Sequence, residues 1–156
     1  MQFCNMEKLN FPDFDFSLKN KQNKPYIFDP VRKKWLILTP EEWVRQHCVQ
    51  FLLKEKNIPL GLLQVEKKIN VNGTEKRYDL VVYNYDQSIV LLIECKAPTV
   101  GLTQKAFDQM ARYNQVLKSD YLMLTNGLQH FYCQMDYQNS KYVFLADLPI
   151  LKKNQS

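Results

Sequence analysis

Two carboxylates and an ammonium, Asp79, Glu94 and Lys96, stand in the most apolar stretch of the chain, RYDLVVYNYDQSIVLLIECKAP, residues 77–98. The runs on either side of Asp86-Gln87, the only polar break, read as two strands of a β-hairpin. With the turn centred on that break, Asp79 lies opposite Glu94. A side-chain period of two then puts Asp79, Val81 and Tyr83 on one face with Val90, Leu92, Glu94 and Lys96. Cross-strand Cβ atoms are ~4.5–5.5 Å apart, so the two carboxylates would repel each other and lose hydration. A divalent cation compensates, because Mg²⁺ takes oxygen ligands, often one or two carboxylates completed by water and phosphate. Lys96 follows Glu94 by ~6.6 Å along the strand, which leaves room for a water or phosphate oxygen. A turn with an odd number of residues would shift the pairing and move Asp79 to the other face. A plainer arrangement also exists, in which Lys96 neutralises Glu94 at a sheet edge and Asp79 caps a strand.

The elements that must position these groups are readable along the chain. YIFDPVRKKWLIL offers two short strands around Asp29-Pro30. Thr39-Pro40-Glu41-Glu42 opens a helix, with Thr39 as N-cap, Pro40 at the first helical position and Glu42 closing a capping box. That helix is expected to reach about Lys56, before Pro59. A strand over Leu62–Val71 runs into Asn72-Gly73, a hairpin turn, and then into the charged hairpin. Thr103 caps a second helix to about Lys118, followed by strand YLMLT, the turn Asn126-Gly127, strand QHFYCQM and a last strand near Tyr142–Leu145. A strand that passes through a helix to another strand implies a mixed sheet with helices on its faces. Residues 1–25 read as a loosely attached N-terminal arm, 26–148 as the domain and 149–156 as a C-terminal tail.

Composition narrows the class. A chain of 156 residues with 46% hydrophobic and 13% aromatic content is one packed domain. It has no run of ~18 apolar residues to span a membrane, and its start lacks the layout of a signal peptide. Cys4, Cys48, Cys95 and Cys133 show no metal-ligand spacing and are expected reduced, in a cytoplasmic protein. The net charge of +5 is compatible with a polyanionic partner.

An Asp followed one strand later by an apolar run ending in Glu-x-Lys, here Asp79 with Glu94-Cys95-Lys96, resembles the PD-(D/E)XK nuclease core. The succession PEEWVRQ, RYDLVVY, LLIECKAP, FDQMARYNQ and YLMLTNG, over about residues 28 to 135, is similar to the N-terminal nuclease domain of type I restriction enzyme R subunits. The resemblance implies an α/β, restriction-endonuclease-like core with a mixed central sheet flanked by helices. It implies a Mg²⁺- or Mn²⁺-dependent DNA endonuclease, standing alone without the translocase that R subunits carry. Asp79 and Glu94 would be metal ligands, with the Cys95 backbone carbonyl as a further candidate, and Lys96 would activate water and steady the scissile phosphate. An acidic residue opening the first helix, Glu41 or Glu42, would reach the metal shell, although capping alone also explains Glu42. Gln109 and Tyr113 match a Gln-x-x-x-Tyr signature and share a helix face, where they could hold the catalytic strand or touch DNA. Arg77 could bind phosphate or simply be solvated. The partners implied are DNA and other restriction-modification or recombination subunits, with a homodimer allowed by the wider fold. The competing expectation is a catalytically silent nucleic-acid-binding or protein-interaction module that keeps the fold. Basic residues, among them Arg32, Lys33 and Lys34, could track phosphates or form an ordinary solvated surface.

Overall fold

The computed structural model describes residues 6–151. Residues 1–5 of the expected arm, with Cys4, and the tail from residue 152 lie outside the described residues. Three short strands come first, β1 (Leu18–Lys21), β2 (Lys24–Asp29) and β3 (Lys34–Ile37), forming an antiparallel sheet in that order. Helix α1 (Pro40–Gln50) begins as the sequence dictates: the Thr39 hydroxyl accepts from the Glu42 amide, and Pro40 occupies the first turn. It ends sooner than expected and gives way to a wider π-type turn, Phe51–Glu55, closed by the Lys56 amide donating to the Phe51 carbonyl.

A six-stranded sheet follows, built from β4 (Leu63–Val71), β5 (Thr74–Tyr83), β6 (Ile89–Cys95), β7 (Tyr121–Thr125), β8 (His130–Asp136) and β9 (Lys141–Leu145), adjacent in chain order. Every pair is antiparallel except β6 with β7. That parallel pair is joined by helix α2 (Gln104–Leu117), whose Thr103 cap accepts from the Ala106 amide and whose end is a left-handed Lys118. The mixed α/β architecture expected from the sequence is therefore present.

The alternating faces of β5 and β6 feed two separate cores. Leu80, Val82, Leu91, Ile93 and Cys95 pack with Val44, Cys48, Val49 and Leu52 of α1 and its extension. Val81 and Leu92 pack on the opposite side with Phe107, Met110 and Ala111 of α2. The N-terminal segment is not loose. Leu9 is buried in the α1-side core, and the Asn10 amide donates to the Gly127 carbonyl at 2.8 Å. Its aromatic residues supply the reason, because Phe11, Phe14 and Phe16 gather around His47. At the other end, Leu148 is buried and its carbonyl accepts from Lys56 Nζ.

The hairpin register is a compensated one. Leu80 faces Ile93, Val81 faces Leu92 and Val82 faces Leu91, the expected alignment, and the ladder stops there, one position short of Asp79 and Glu94. Yet the connection, residues 84–88, holds an odd number of residues. A β-bulge at Val82/Tyr83 absorbs the difference and pairs Tyr83 with Ile89. Val90 is consequently carried into the α1-side core, away from the face that strict alternation assigns it. Next to the turn, the Asn84 amide donates to the Ser88 carbonyl at 2.8 Å.

Candidate functional site

Alternation fails at Asp79 itself, because of its neighbour on β4. Glu66 has φ +57°, and the β4–β5 ladder passes from Val65–Leu80 to Lys67–Tyr78 without a Glu66–Asp79 pair. Tyr78 and Val81 therefore reach the same core, although three positions separate them. The Asp79 side chain turns to the α1 side. Its Oδ1 accepts from Arg45 Nη2 at 2.8 Å and Nε at 3.2 Å, and its Oδ2 accepts from the Cys95 amide at 2.8 Å.

Arg45 is the hub of that side. It donates to Glu42 Oε1 and Glu41 Oε1 and lies 3.3 Å from Glu66. Burial opposes its charge, but Asp79 and Glu42 more than offset this, so its pKa is raised. Glu42 is itself fully engaged: Oε2 accepts from Arg32 Nη2 and Gln46 Nε2, both at 2.9 Å. Arg32 in turn pairs with the buried Asp29. Glu41 is half exposed. Arg77, read as either a phosphate contact or a solvated residue, is half exposed and donates to Glu66 Oε2 at 3.3 Å.

Glu94 belongs to a different cluster. It lines a pocket on the α2 side with Lys76, Lys96, Gln109, Met110 and Tyr113. The helix spacing of Gln109 and Tyr113 brings both to this pocket, as their positions on α2 suggest. Lys76 Nζ lies 3.6 Å from Glu94 Oε2 and within 5.5 Å of the ring centres of Tyr78 and Tyr113. Glu94 Oε1 is buried without a hydrogen-bond partner, and so is the Tyr78 hydroxyl. Burial, reinforced by the charge of Asp79, pushes the Glu94 carboxyl up to about 7 against the pull of Lys76 and Lys96. Burial also raises the Tyr78 hydroxyl, with Glu94 and Tyr113 adding to the effect.

Lys96 closes the strand by donating its amide to the Thr125 carbonyl, and its side chain lines the same pocket as Glu94. Cys95, between them, faces the other way and is buried against Cys48, with sulfurs 3.9 Å apart. Burial pushes its thiol well up, so it is an unreactive core residue. Cys48, Cys95 and Cys133 are free thiols.

The structure thus brings Glu94, Lys96, Gln109 and Tyr113 together, and holds Asp79, Glu41 and Glu42 in the adjoining Arg45 network. Among the described residues no three His, Cys, Asp or Glu side chains are gathered as a metal cluster. Sequence reading passed over Arg45, Lys76 and Tyr78. Arg45 did carry a signal, standing three and four residues after Glu42 and Glu41 on one helix. Lys76 and Tyr78 carried none, since strand alternation puts them on one face of β5 and Asp79 on the other.

A family model described as the type I restriction enzyme R protein N terminus (HSDR_N) matches residues 40–149. No curated protein matches the chain. Among solved structures, a fragment described as an HsdR subunit of a type I restriction enzyme from Vibrio vulnificus YJ016 is similar at 20% identity and a TM-score of 0.49. The match covers 73% of this chain and 24% of that one.

Proposed function

The chain belongs to the family of type I restriction enzyme R protein N termini, and from that premise we propose that it is a Mg²⁺- or Mn²⁺-dependent nuclease domain that hydrolyses DNA phosphodiester bonds. The observation that carries the reading is Glu94: a buried carboxyl with an unpartnered oxygen, set between two lysines in an accessible pocket. Natural structures seldom leave such an oxygen unpaired without a functional cause or an absent ion.

Glu94 Oε1, unpartnered on the α2 side, would be one ligand of a hard divalent cation. Asp79, which the structure turns to the α1 side, would have to leave Arg45 to become the second, with the Cys95 carbonyl, water and substrate phosphate completing the shell. A cation bound there supplies Lewis-acid polarisation of the phosphoryl group and a more acidic water. The chain's own residues supply the rest. The Lys96 and Lys76 ammonium groups hold the phosphate oxygens and offset the negative charge that develops on them. Gln109 and Tyr113 face the same pocket, where an amide and a phenol can orient the sugar-phosphate backbone. Water attacks phosphorus, the phosphorus–oxygen ester bond breaks, and the leaving oxygen takes up a proton. Arg45 holds Asp79 at 2.8 Å and would compete with such a cation for that carboxylate.

The test is incubation of the protein with duplex, branched and single-stranded DNA in Mg²⁺ or Mn²⁺. Cleavage that stops in EDTA and in Asp79→Ala, Glu94→Ala and Lys96→Ala is expected. Uncut substrates in all metals, with the protein folded, would overturn the reading. The engagement of Asp79 by Arg45 favours one alternative, a silent module that binds nucleic acid or another restriction-modification or recombination subunit without cutting. That alternative is distinguished by binding that persists in EDTA while no substrate is cleaved.

A further inference from the structure

We propose that the outward face of the three-stranded β1–β2–β3 sheet is a docking platform for single-stranded nucleic acid. The first observation is where the charge lies. Residues 18–37 contain Lys19, Lys21, Lys24, Arg32, Lys33 and Lys34 against Asp29 alone. Their net +5 equals that of the whole chain, so the rest of the sequence balances to zero. The one acid is fully buried and ion-paired with Arg32.

The second observation is register. Lys19 faces Tyr26, which faces Ile37; Lys21 faces Lys24; and Phe28 faces Trp35. Alternation puts all of these on one side of the sheet, because Ile27, between Tyr26 and Phe28, is the buried residue. That side therefore presents three lysines, three aromatic rings and no acid. Trp35 and Ile37 are exposed although large and apolar. Phe28 and Trp35 pack edge to face with centroids 5.4 Å apart, and Lys19 Nζ sits 4.2 Å above the indole. Phe28 and Trp35 thus brace each other, and Lys19 stands over the indole.

Aromatic rings interleaved with lysines on an open sheet match what a single strand offers: free base faces to stack and a phosphate at each step. A duplex stacks its bases internally and gives Trp35 nothing to cover. An acidic protein surface would satisfy the lysines but not the row of rings. The platform is also tied to the Arg45–Asp79 network on the α1 side. Arg32, in the β2–β3 turn, donates to Glu42; Glu42 accepts from Arg45; and Arg45 donates to Asp79. The proposal does not depend on hydrolysis, because binding is read in EDTA, where no cleavage occurs.

The experiment is fluorescence anisotropy of the full chain with labelled oligothymidylate in EDTA, across a series of salt concentrations. Oligouridylate in a parallel arm separates DNA from RNA preference. Trp35→Ala is expected to weaken binding about tenfold with little change in salt slope, and Trp35→Phe to restore most of it. The triple variant Lys19→Glu, Lys21→Glu, Lys24→Glu is expected to reduce the salt slope by about 2 or more. These side chains are exposed, so circular dichroism should report an intact fold and keep the triple variant informative even where Trp35→Ala is damaged. The proposal is overturned if the wild type does not bind, if the triple variant binds as tightly as the wild type, or if a duplex or polyglutamate competes as well as the single strand.

Discussion

Glu94 is a carboxyl whose environment favours the neutral form, and this has a definite pH signature. Its pKa is raised from the ordinary 4.5 of a glutamate to about 7. The folded state therefore keeps the proton over a range where the unfolded state has lost it. Stability from this group is greatest below about pH 4.5, falls as pH rises to about 7, and is flat above, by up to ~3 kcal/mol in total. Glu94→Gln removes the titration, so in EDTA the variant is expected to match the wild type near pH 5 and exceed it near pH 8. Urea midpoints at the two pH values measure this; an equal midpoint difference at both would show that Glu94 is not the group. Arg45 predicts the opposite kind of loss. Asp79 and Glu42 are both largely buried and both depend on its guanidinium. Arg45→Ala leaves two buried carboxylates uncompensated, a cost of ~3–5 kcal/mol. Arg45→Lys recovers only part, because one ammonium cannot reproduce the guanidinium's contacts with Glu42 and with both Nε and Nη2 on Asp79. Chemical denaturation of the two variants checks both statements.

At the scale of elements, the two Asn-Gly turns look alike in sequence and differ in consequence. Gly73 and Gly127 have φ of +83° and +86°, a region open chiefly to glycine. A Cβ on Gly73 would meet nothing within 4 Å, whereas on Gly127 it would lie 2.9 Å from a Leu9 methyl and 3.0 Å from Val44 Cγ2. Gly73→Ala should therefore lose only the backbone term, ~1 kcal/mol, and Gly127→Ala distinctly more, ~2–3 kcal/mol, as strain and displacement of Leu9 combine. Thermal unfolding of the two variants side by side tests it. The contrast also shows what sequence could disclose. The strands from β2 onward, both helix caps and the hairpin alignment from Leu80–Ile93 to Val82–Leu91 follow from alternation, caps and turn chemistry, all of which are local, whereas β1 lies inside the expected arm and was missed. The bulge that rescues the register is not legible, because nothing in YNYDQSIV marks Val82/Tyr83 as the place to absorb an odd loop. The packed N-terminal segment was missed for a similar reason. Leu9, Phe11 and Phe16 have no period, and their burial comes from α1 and the β7–β8 turn far along the chain. At the site, Glu94 and Lys96 were legible as a pair, whereas the turning of Asp79 toward Arg45 depends on the left-handed Glu66 of a neighbouring strand.

At the scale of the molecule, the central sheet divides the candidate site between its faces, with Glu94 and the two lysines on the α2 side and the Arg45–Asp79 network on the α1 side. A cation shared by the two carboxylates would join the halves, and it would bind only the folded chain. Mass action then predicts stabilisation by Mg²⁺ or Mn²⁺ of ~2.7 kcal/mol at a hundred times the dissociation constant. The increment should vanish in Glu94→Gln and shrink in Asp79→Asn. It should also depend on pH, because metal and proton compete for Glu94, whose pKa is about 7. Below that pH, affinity should fall by up to tenfold per unit; above it, affinity should level off. Arg45→Lys adds a sharper discriminator. A weaker competitor for Asp79 should lower the stability of the metal-free protein and yet enlarge the increment that Mn²⁺ produces, whereas a purely structural arginine would reduce both. Melting curves with and without Mn²⁺, on wild type and Arg45→Lys at pH above 7, separate the two cases by the sign of a single difference.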